Sequence, residues 1–327
     1  MNLPVIKYCP GTLAEGFDTY SPTCLKRVFN NKKVAHVLPY NSPVGGVLDD
    51  SLFDENRKLM SISGVQEKFS VLLEKNNLRL TKEGEKGTYI LKPIPLIINR
   101  ADQMPANEHL TMQIARQVFG IEIADNALIF FKDGAPAYIT KRFDVREDGG
   151  KWAQHDLASV AGRSPQTHGA NYKYQGNYLS LFLLMKKYVP AYQIESLKLF
   201  KVLLFNFLFS NGDAHLKNFS LLETPMGDFR LSPAYDLLNS RIHMDDSDFA
   251  LDEGLLPRDL AQGKISQQFT KLAEQANLNE KQVKRIMEVM TSGSEKVENL
   301  VAASFLNEKT KRYYLQCYQK RLKRLLK

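Results

Sequence analysis

From Glu195 to Ser210 the chain passes through Leu197, Leu199, Phe200, Val202, Leu203, Leu204, Phe205, Phe207, Leu208 and Phe209, leaving little to mark an outer face. A helix apolar on every side has to be buried, so the remaining chain must wrap around it. The run ends in Ser210-Asn211-Gly212, which does not comfortably continue a helix. Asp213, His215, Lys217 and Asn218 follow at once. A rigid strut that delivers four polar side chains at its C-terminal end needs a chain with core to spare. At 327 residues, 43% hydrophobic and 24% charged, this one has it.

The formal net charge is +8. That suits an anionic partner such as a nucleotide or nucleic acid, and equally a plain basic surface. Cys9, Cys24 and Cys317 form no Cys-x-x-Cys pair, so neither a zinc site nor a disulfide framework is indicated. Sparse cysteines fit a reducing compartment. The first residues lack the apolar run of a signal peptide, and no apolar stretch is long enough to span a membrane. A cytoplasmic protein without membrane contact is expected.

Closely spaced Pro and Gly break residues 1–60 into short elements, with a brief helix near Leu25–Asn30. Ser61-Ile62-Ser63-Gly64-Val65-Gln66-Glu67-Lys68 leads into Phe69, Val71 and Leu73, which alternate as a half-buried strand requires. Lys75-Asn76-Asn77 turns, and Leu78–Thr81 returns. Backbone amides of such a loop can wrap phosphate oxygens, with Lys68 as a mobile cation, or the pair is an ordinary surface hairpin. Tyr89–Pro93 is a short strand in which Lys92 either snorkels to solvent or serves as a phosphate-binding lysine. Asn107-Glu108 opens an amphipathic segment stopped by Gly120. Glu108, in its first turn, meets the helix dipole or Lys92.

Ile121–Asp125, Ala127–Phe131 and Ala135–Thr140 read as three more strands, completing an antiparallel lobe. Lys141-Arg142-Phe143-Asp144 and the polar residues after it mark a hinge. Its backbone can bond an adenine edge, and Phe143 can help enclose the ring. From Trp152 onward the pattern is helical, with Gln154–Ala158 beginning one helix. Phe219–Leu222 and Phe229–Leu231 form a small hairpin that returns Asp236 beside the Asp213 loop. The last helix, Ser304–Lys327, has an apolar stripe and a basic face.

Asp213 and Asn218 have the spacing of a kinase catalytic loop, Asp-x4-Asn, in which the Asp orients a hydroxyl and the Asn holds magnesium. With Asp236 they make a hard-oxygen site suited to magnesium and nucleotide phosphates. The sequence has no Gly-x-Ser-x-Gly elbow, Walker loop or Gly-x-Gly-x-x-Gly.

Taken in order, Ser61–Lys68, Ile90–Pro93, Asn107-Glu108, Lys141–Asp144, Gln154-His155-Asp156, Asn211–Asn218 and Pro233-Ala234-Tyr235-Asp236 resemble the HipA family of bacterial serine/threonine kinase toxins. The resemblance covers about Ser61 to Asp236. It implies an α+β, two-lobed protein-kinase-like fold with a small antiparallel β lobe and a larger, mainly helical lobe. The boundaries are an N-terminal segment 1–60 packed on the small lobe, an ATP-binding lobe 61–143 and a helical lobe 144–327.

The resemblance also implies roles. Asp213 is the catalytic aspartate, and Asn218 and Asp236 hold magnesium. Ser63, Gly64, Val65, Gln66, Glu67 and Lys68 form the phosphate loop, Lys92 contacts ATP phosphates, and Lys141, Arg142 and Phe143 form the adenine hinge. His215, Leu216, Lys217 and Tyr235 complete the nucleotide site, and Ser61 and Ser63 match the autophosphorylated loop. The implied cofactors are ATP and Mg2+. The implied partners are an aminoacyl-tRNA synthetase as substrate and a DNA-binding antitoxin, with DNA contact mostly indirect. A small antitoxin resembling the family's additional N-terminal subdomain completes them, because the residues before Ser61 are too few for that subdomain. The chain is thus most similar to the short HipT form. Lys141 departs from the family's acidic hinge position, which spares a backbone contact to adenine and not a side-chain one. The alternatives are a small-molecule phosphotransferase and a non-catalytic nucleotide-binding partner of a DNA-binding antitoxin.

Overall fold

The computed structural model describes residues 4–43, 53, 66–96, 98–245 and 247–327. Ser61, Ser63, Gly64 and Val65 lie outside the described residues. Two units are present, one made of residues 1–113, 124–143 and 299–311, the other of 114–123, 144–298 and 312–327.

In the first unit, alternating apolar residues build an antiparallel sheet of β1 (Phe69–Glu74), β2 (Asn77–Leu80), β3 (Tyr89–Lys92), β4 (Asn126–Phe130) and β5 (Pro136–Lys141), in the order β2-β1-β3-β5-β4. Lys75, with φ +54°, makes the expected tight turn between β1 and β2. Phe69, Val71, Leu91, Ile129 and Ile139 point into one buried cluster, which Cys9, Tyr20, Cys24, Val28, Phe29, Val34 and Leu38 complete. The early residues thus supply much of this core. Truncating one of these rings, as in Phe29→Ala, costs about 3–5 kcal/mol. The brief helix expected near Leu25–Asn30 is α1 (Pro22–Phe29). Ser21 caps its start and Pro22 fixes its first turn. Asn30 ends it in the left-handed region, its N–H bonded to Leu25 O.

Two expectations need correction around α2 (Met104–Gln117). The helix begins earlier than Asn107, directly after a 3-10 turn at Ala101–Gln103, and Pro105 sits in its first turn, where a missing N–H costs nothing. Glu108 therefore falls in the second turn. Gly120, with φ +59°, stops the segment as expected. Ile121–Asp125 is not a strand. Ile121 N–H bonds Ala115 O in the helix end, and the Arg116 guanidinium bonds Ile123 O at 2.8 Å. Ile123 makes only an isolated bridge, with Ala234.

The second unit is organised on α6 (Tyr192–Leu208). Phe200, Leu203, Leu204, Phe205, Phe207 and Leu208 are all buried, as an all-round apolar helix requires. Its C-cap Phe209 stacks on Phe205 at 4.4 Å and on Tyr318 at 4.9 Å. The expected helix at Gln154–Ala158 divides. Gln154–Asp156 is β6, which with β7 (Ser220–Glu223) and β8 (Phe229–Leu231) makes a sheet in the order β6-β7-β8. Asp156 then caps the short α3 (Leu157–Val160), accepting from Ser159 N–H at 2.9 Å. Local pairing with β7 wins over helical pattern because Asp156, a capping residue, separates the two. Further helices are α4 (Pro165–His168), α5 (Leu179–Tyr188), α7 (Ile265–Gln275), α8 (Glu280–Thr291), α9 (Ser294–Ala303) and α10 (Glu308–Leu325). Among the described residues no helix is long and apolar enough to cross a membrane.

Candidate functional site

In the first unit, Lys92 at the end of β3 does not snorkel. Its side chain is 4% exposed, and its ammonium lies 2.7 Å from Glu108 Oε1, itself 2% exposed. The ring of Tyr138, its cross-strand neighbour on β5, lies 5.3 Å from the same nitrogen. Burying both charges costs several kcal/mol, which their close pairing helps to offset. Such a pair holds a cation at one fixed point. Nearby, the Gln66 side-chain amide donates to Pro93 O at 3.1 Å, so the described end of the Ser61–Lys68 loop is tied to the end of the same strand. Glu67 and Lys68 follow at the entry to β1. At the other end of β5, Lys141 N–H bonds Asp125 O and Arg142 N–H bonds Thr88 O. The Lys141 ammonium donates to Asn30 Oδ1 at 2.7 Å. The Lys141 N–H and its ammonium thus both have partners within the unit. Phe143 is half-buried.

In the second unit the strut ends in a tightly tied loop. Ser210 turns the chain with φ +54°, and Arg321 Nε donates to its hydroxyl at 3.3 Å. Gly212 N–H donates to Ser240 Oγ at 2.8 Å, and that hydroxyl donates to Ser210 O at 2.8 Å. Asp213 then projects its carboxylate toward Tyr174, whose hydroxyl donates to Oδ1 at 2.8 Å. The Asp213 carbonyl accepts from His215 N–H at 2.7 Å and from the Asn218 side-chain amide at 3.1 Å. Asp213 and Asn218 are thus fixed to each other, and the Asn218 donor is committed inward. Tyr178 OH holds Ala214 O at 2.7 Å. Leu216 is buried at the start of the 3-10 turn Leu216–Asn218.

The return segment is stapled to this loop as the hairpin reading requires. Tyr235 OH donates to Lys217 O at 2.8 Å and pairs with Ser220 Oγ. Asn211 Nδ2 donates to Asp236 O at 3.2 Å. Asp236 has φ +54°, a left-handed conformation that costs a non-glycine residue about 1 kcal/mol or more and is concentrated at functional sites.

The electrostatics are lopsided. Burial, helped by Lys173, lowers His215 to about 4, so its imidazole is neutral near pH 7. Burial pushes the Tyr235 hydroxyl up, so it stays a donor. His215 Nδ1 and Asn211 Oδ1 are buried without a partner among the described residues. Unspent polar atoms beside two carboxylates are what a polar ligand can satisfy. Sequence reasoning missed Tyr174, Tyr178, Asn211 and Ser240 as parts of the site. Tyr174 sits in an irregular stretch with no periodicity, and the others read as helix or turn residues. No group of three or more His, Cys, Asp or Glu residues is placed to hold a metal among the described residues. Magnesium needs less, because it keeps waters and substrate phosphates in its shell, so one carboxylate and one amide oxygen fit it.

A Haemophilus influenzae protein named "Putative kinase" is 24% identical over 98% of this chain and 97% of its own length. A chain in the structure of the Shewanella oneidensis MR-1 toxin–antitoxin complex of HipA, HipB and operator DNA matches with a TM-score of 0.64 at 21% identity, over 82% of this chain and 65% of that one. The Helicobacter pylori proinflammatory kinase CtkA matches with a TM-score of 0.53 at 13% identity, over 78% of this chain and 90% of its own. The fold is therefore the kinase-like α+β fold. The family model described as the HipA-like C-terminal domain matches residues 60–297, and the protein belongs to that family.

Proposed function

We propose that this protein is an ATP- and magnesium-dependent serine/threonine protein kinase that acts as a growth-inhibiting toxin of the short HipT form. The observation that carries the reading is Asp213. Its carboxylate is oriented by Tyr174, and its carbonyl is tied to Asn218 and His215. A kinase base must be aimed rather than strongly basic, because phosphoryl transfer depends on positioning and charge neutralisation. On this reading Asp213 orients the attacking hydroxyl of a serine or threonine and accepts its proton. Lys92, held by Glu108, pairs with ATP phosphates, and Gln66, Glu67 and Lys68 belong to the phosphate loop. Arg142 and Phe143 contribute to the adenine hinge, with Lys141 taking part through its carbonyl. His215, Lys217 and Tyr235 line the nucleotide site. Asn218 and Asp236 would hold magnesium, which when bound neutralises charge on the transferring phosphate.

The finer parts of the proposal are the substrate, an aminoacyl-tRNA synthetase, and autophosphorylation of Ser61 and Ser63. The proposed partners are a DNA-binding antitoxin and a small antitoxin. The Shewanella match supports the former, since that complex includes HipB and operator DNA. Incubating the purified chain with labelled ATP, magnesium and a panel of synthetases tests the reading. Label should pass to one synthetase and to the Ser61/Ser63 loop, and Asp213→Gln should abolish both while its circular dichroism stays native. Label retained by folded Asp213→Gln refutes the assignment. Label passing only to a small molecule would make the protein a small-molecule phosphotransferase, and nucleotide binding without transfer would make it a non-catalytic partner.

A further inference from the structure

Two buried thiols lie in the first unit, and the proposed chemistry uses neither. Cys9 and Cys24 are 0% and 1% exposed. The Cys9 sulfur accepts backbone N–H groups from Gly11 at 3.3 Å, Thr12 at 3.4 Å and Ser21 at 3.1 Å. Ser21 Oγ also lies 3.3 Å from this sulfur. The same Ser21 hydroxyl caps α1 by accepting from Cys24 N–H at 3.3 Å and meets Thr12 Oγ1 at 3.2 Å. Both sulfurs crowd one glycine. Gly11 donates its N–H to Cys9, and a Cβ added to Gly11 would fall 2.0 Å from Cys24 Sγ.

Converging backbone N–H groups form a nest for an anion. Here the atom in the nest is a sulfur that can become one. The adjacent Cys24 thiol, more than any other group, lowers the Cys9 thiol, with Ser21 and Thr12 adding to it against the opposing effect of burial. Cys24 is pushed the other way by Cys9 and by burial, and so keeps its proton. The pair is therefore asymmetric. One sulfur is a ready nucleophile, and the other is a protonated neighbour able to resolve what forms on it. At Cys317, by contrast, burial raises the thiol against the opposing effect of Tyr313 and Asn239.

We propose that Cys9 and Cys24 are a thiol redox site that closes to a reversible disulfide when a peroxide reaches it. The Cys9 thiolate attacks one peroxide oxygen, the O–O bond breaks, and the leaving hydroxide takes up a proton to become water. Cys9 is then a sulfenic acid. The Cys24 sulfur attacks the Cys9 sulfur, the S–O bond breaks, and the departing oxygen leaves as water with the Cys24 proton. Two thiols are oxidised to one disulfide, and one peroxide is reduced to two waters. The site connects to the sheet through α1. Val28 O at the far end of that helix accepts from Tyr89 OH at 2.8 Å, and Asn30 holds Lys141 at 2.7 Å.

The test uses the intact chain. Cleavage after Lys and Arg leaves both cysteines on one peptide, Tyr8–Lys26, and Cys317 on another, Tyr313–Lys320. The native protein is treated with limiting hydrogen peroxide, alkylated and digested. The expected result is a Tyr8–Lys26 peptide two hydrogens lighter, carrying no alkyl group, formed before Cys317 reacts and reversed by dithiothreitol. With oxidised glutathione, Cys24→Ser should form an adduct at Cys9, and Cys9→Ser should stay unmodified at Cys24. The proposal is overturned if native Tyr8–Lys26 keeps two alkylatable thiols after Cys317 has reacted, or closes only in denaturant. An equal glutathione adduct in Cys9→Ser also overturns it.

Discussion

Replacing Lys92 with Met separates what Lys92 does for the fold from what it does for chemistry. Lys92 and Glu108 are paired at 2.7 Å with 4% and 2% exposure. Lys92→Met keeps most of the aliphatic stem and removes the charge, so Glu108 stays buried and loses its 2.7 Å ion pair with Lys92. Removing one partner of a buried pair typically costs about 3–5 kcal/mol, because the survivor remains desolvated and has lost that ion pair. That is a large part of the roughly 5–15 kcal/mol that holds a typical domain together. At about 2–4 °C per kcal/mol for a domain of this size, the melting temperature should fall by roughly 6–20 °C. Lys92→Met/Glu108→Gln removes both charges and should recover most of the loss, since replacing both partners of a buried pair is often near neutral.

The assay is a double-mutant cycle read by urea unfolding, with phosphoryl transfer measured on the same four proteins. Strong coupling is expected, with Lys92→Met and Glu108→Gln each costing more alone than together. The kinase proposal expects the double variant to be folded and inactive, because the phosphate-facing cation is gone whatever the stability. Should Lys92→Met unfold within about 1 kcal/mol of wild type, the buried-pair reasoning is refuted. A stable double variant with wild-type transfer refutes the role assigned to Lys92 and leaves the buried pair standing.

Tyr174→Phe removes the hydroxyl that donates to Asp213 Oδ1 at 2.8 Å. A hydrogen bond to a charged group is worth about 1.5–3 kcal/mol, so kcat should fall roughly 10- to 100-fold with KM for ATP little changed, and an unchanged kcat would remove Tyr174 from the site. His109 is lowered to about 4 by burial, its Nε2 lying 3.3 Å from Gly11 O, and His215 is lowered to about 4 likewise. Each folded-state value lies below the unfolded one, so the unfolded chain binds more protons. The stabilisation is full above pH 6.5 and is lost as pH falls toward 4, at about 3 kcal/mol per histidine. Urea midpoints at pH 7.5 and 5.0 check this, and His109→Gln should flatten part of the difference.

The sequence is most legible where a local pattern has no competitor. The strut Glu195–Ser210 is apolar on nearly every face, so burial is its expected outcome, and α6 is buried from Leu199 to Leu208 apart from the half-buried Lys201, while Gln193 and Ile194 in its first turn are exposed. The alternation of Phe69, Val71 and Leu73, the turn at Lys75 and the hairpin before Asp236 belong to the same class. Legibility fails where backbone polarity is satisfied from elsewhere. Ile121–Asp125 has strand composition, yet its groups bond Ala115 and Arg116 in the preceding helix. Gln154–Asp156 has no strand composition, yet it pairs residue for residue with Ser220–Leu222. In the candidate site Asp213 and Asn218 are legible as a spaced motif, whereas the residues that hold them are not. Tyr174 reaches Asp213 across 39 positions and Ser240 reaches Gly212 across 28. Neither is next to the motif in sequence, and neither lies on a periodic element that would have flagged it. A catalytic motif can be short because its members share one turn. The shell that holds them must come from other turns, since a loop cannot saturate its own donors and acceptors. That division explains why Asp213 and Asn218 can be named from spacing and Asp236 from the hairpin that returns it, and why the groups that hold the loop have to be sought in Tyr174 and Ser240.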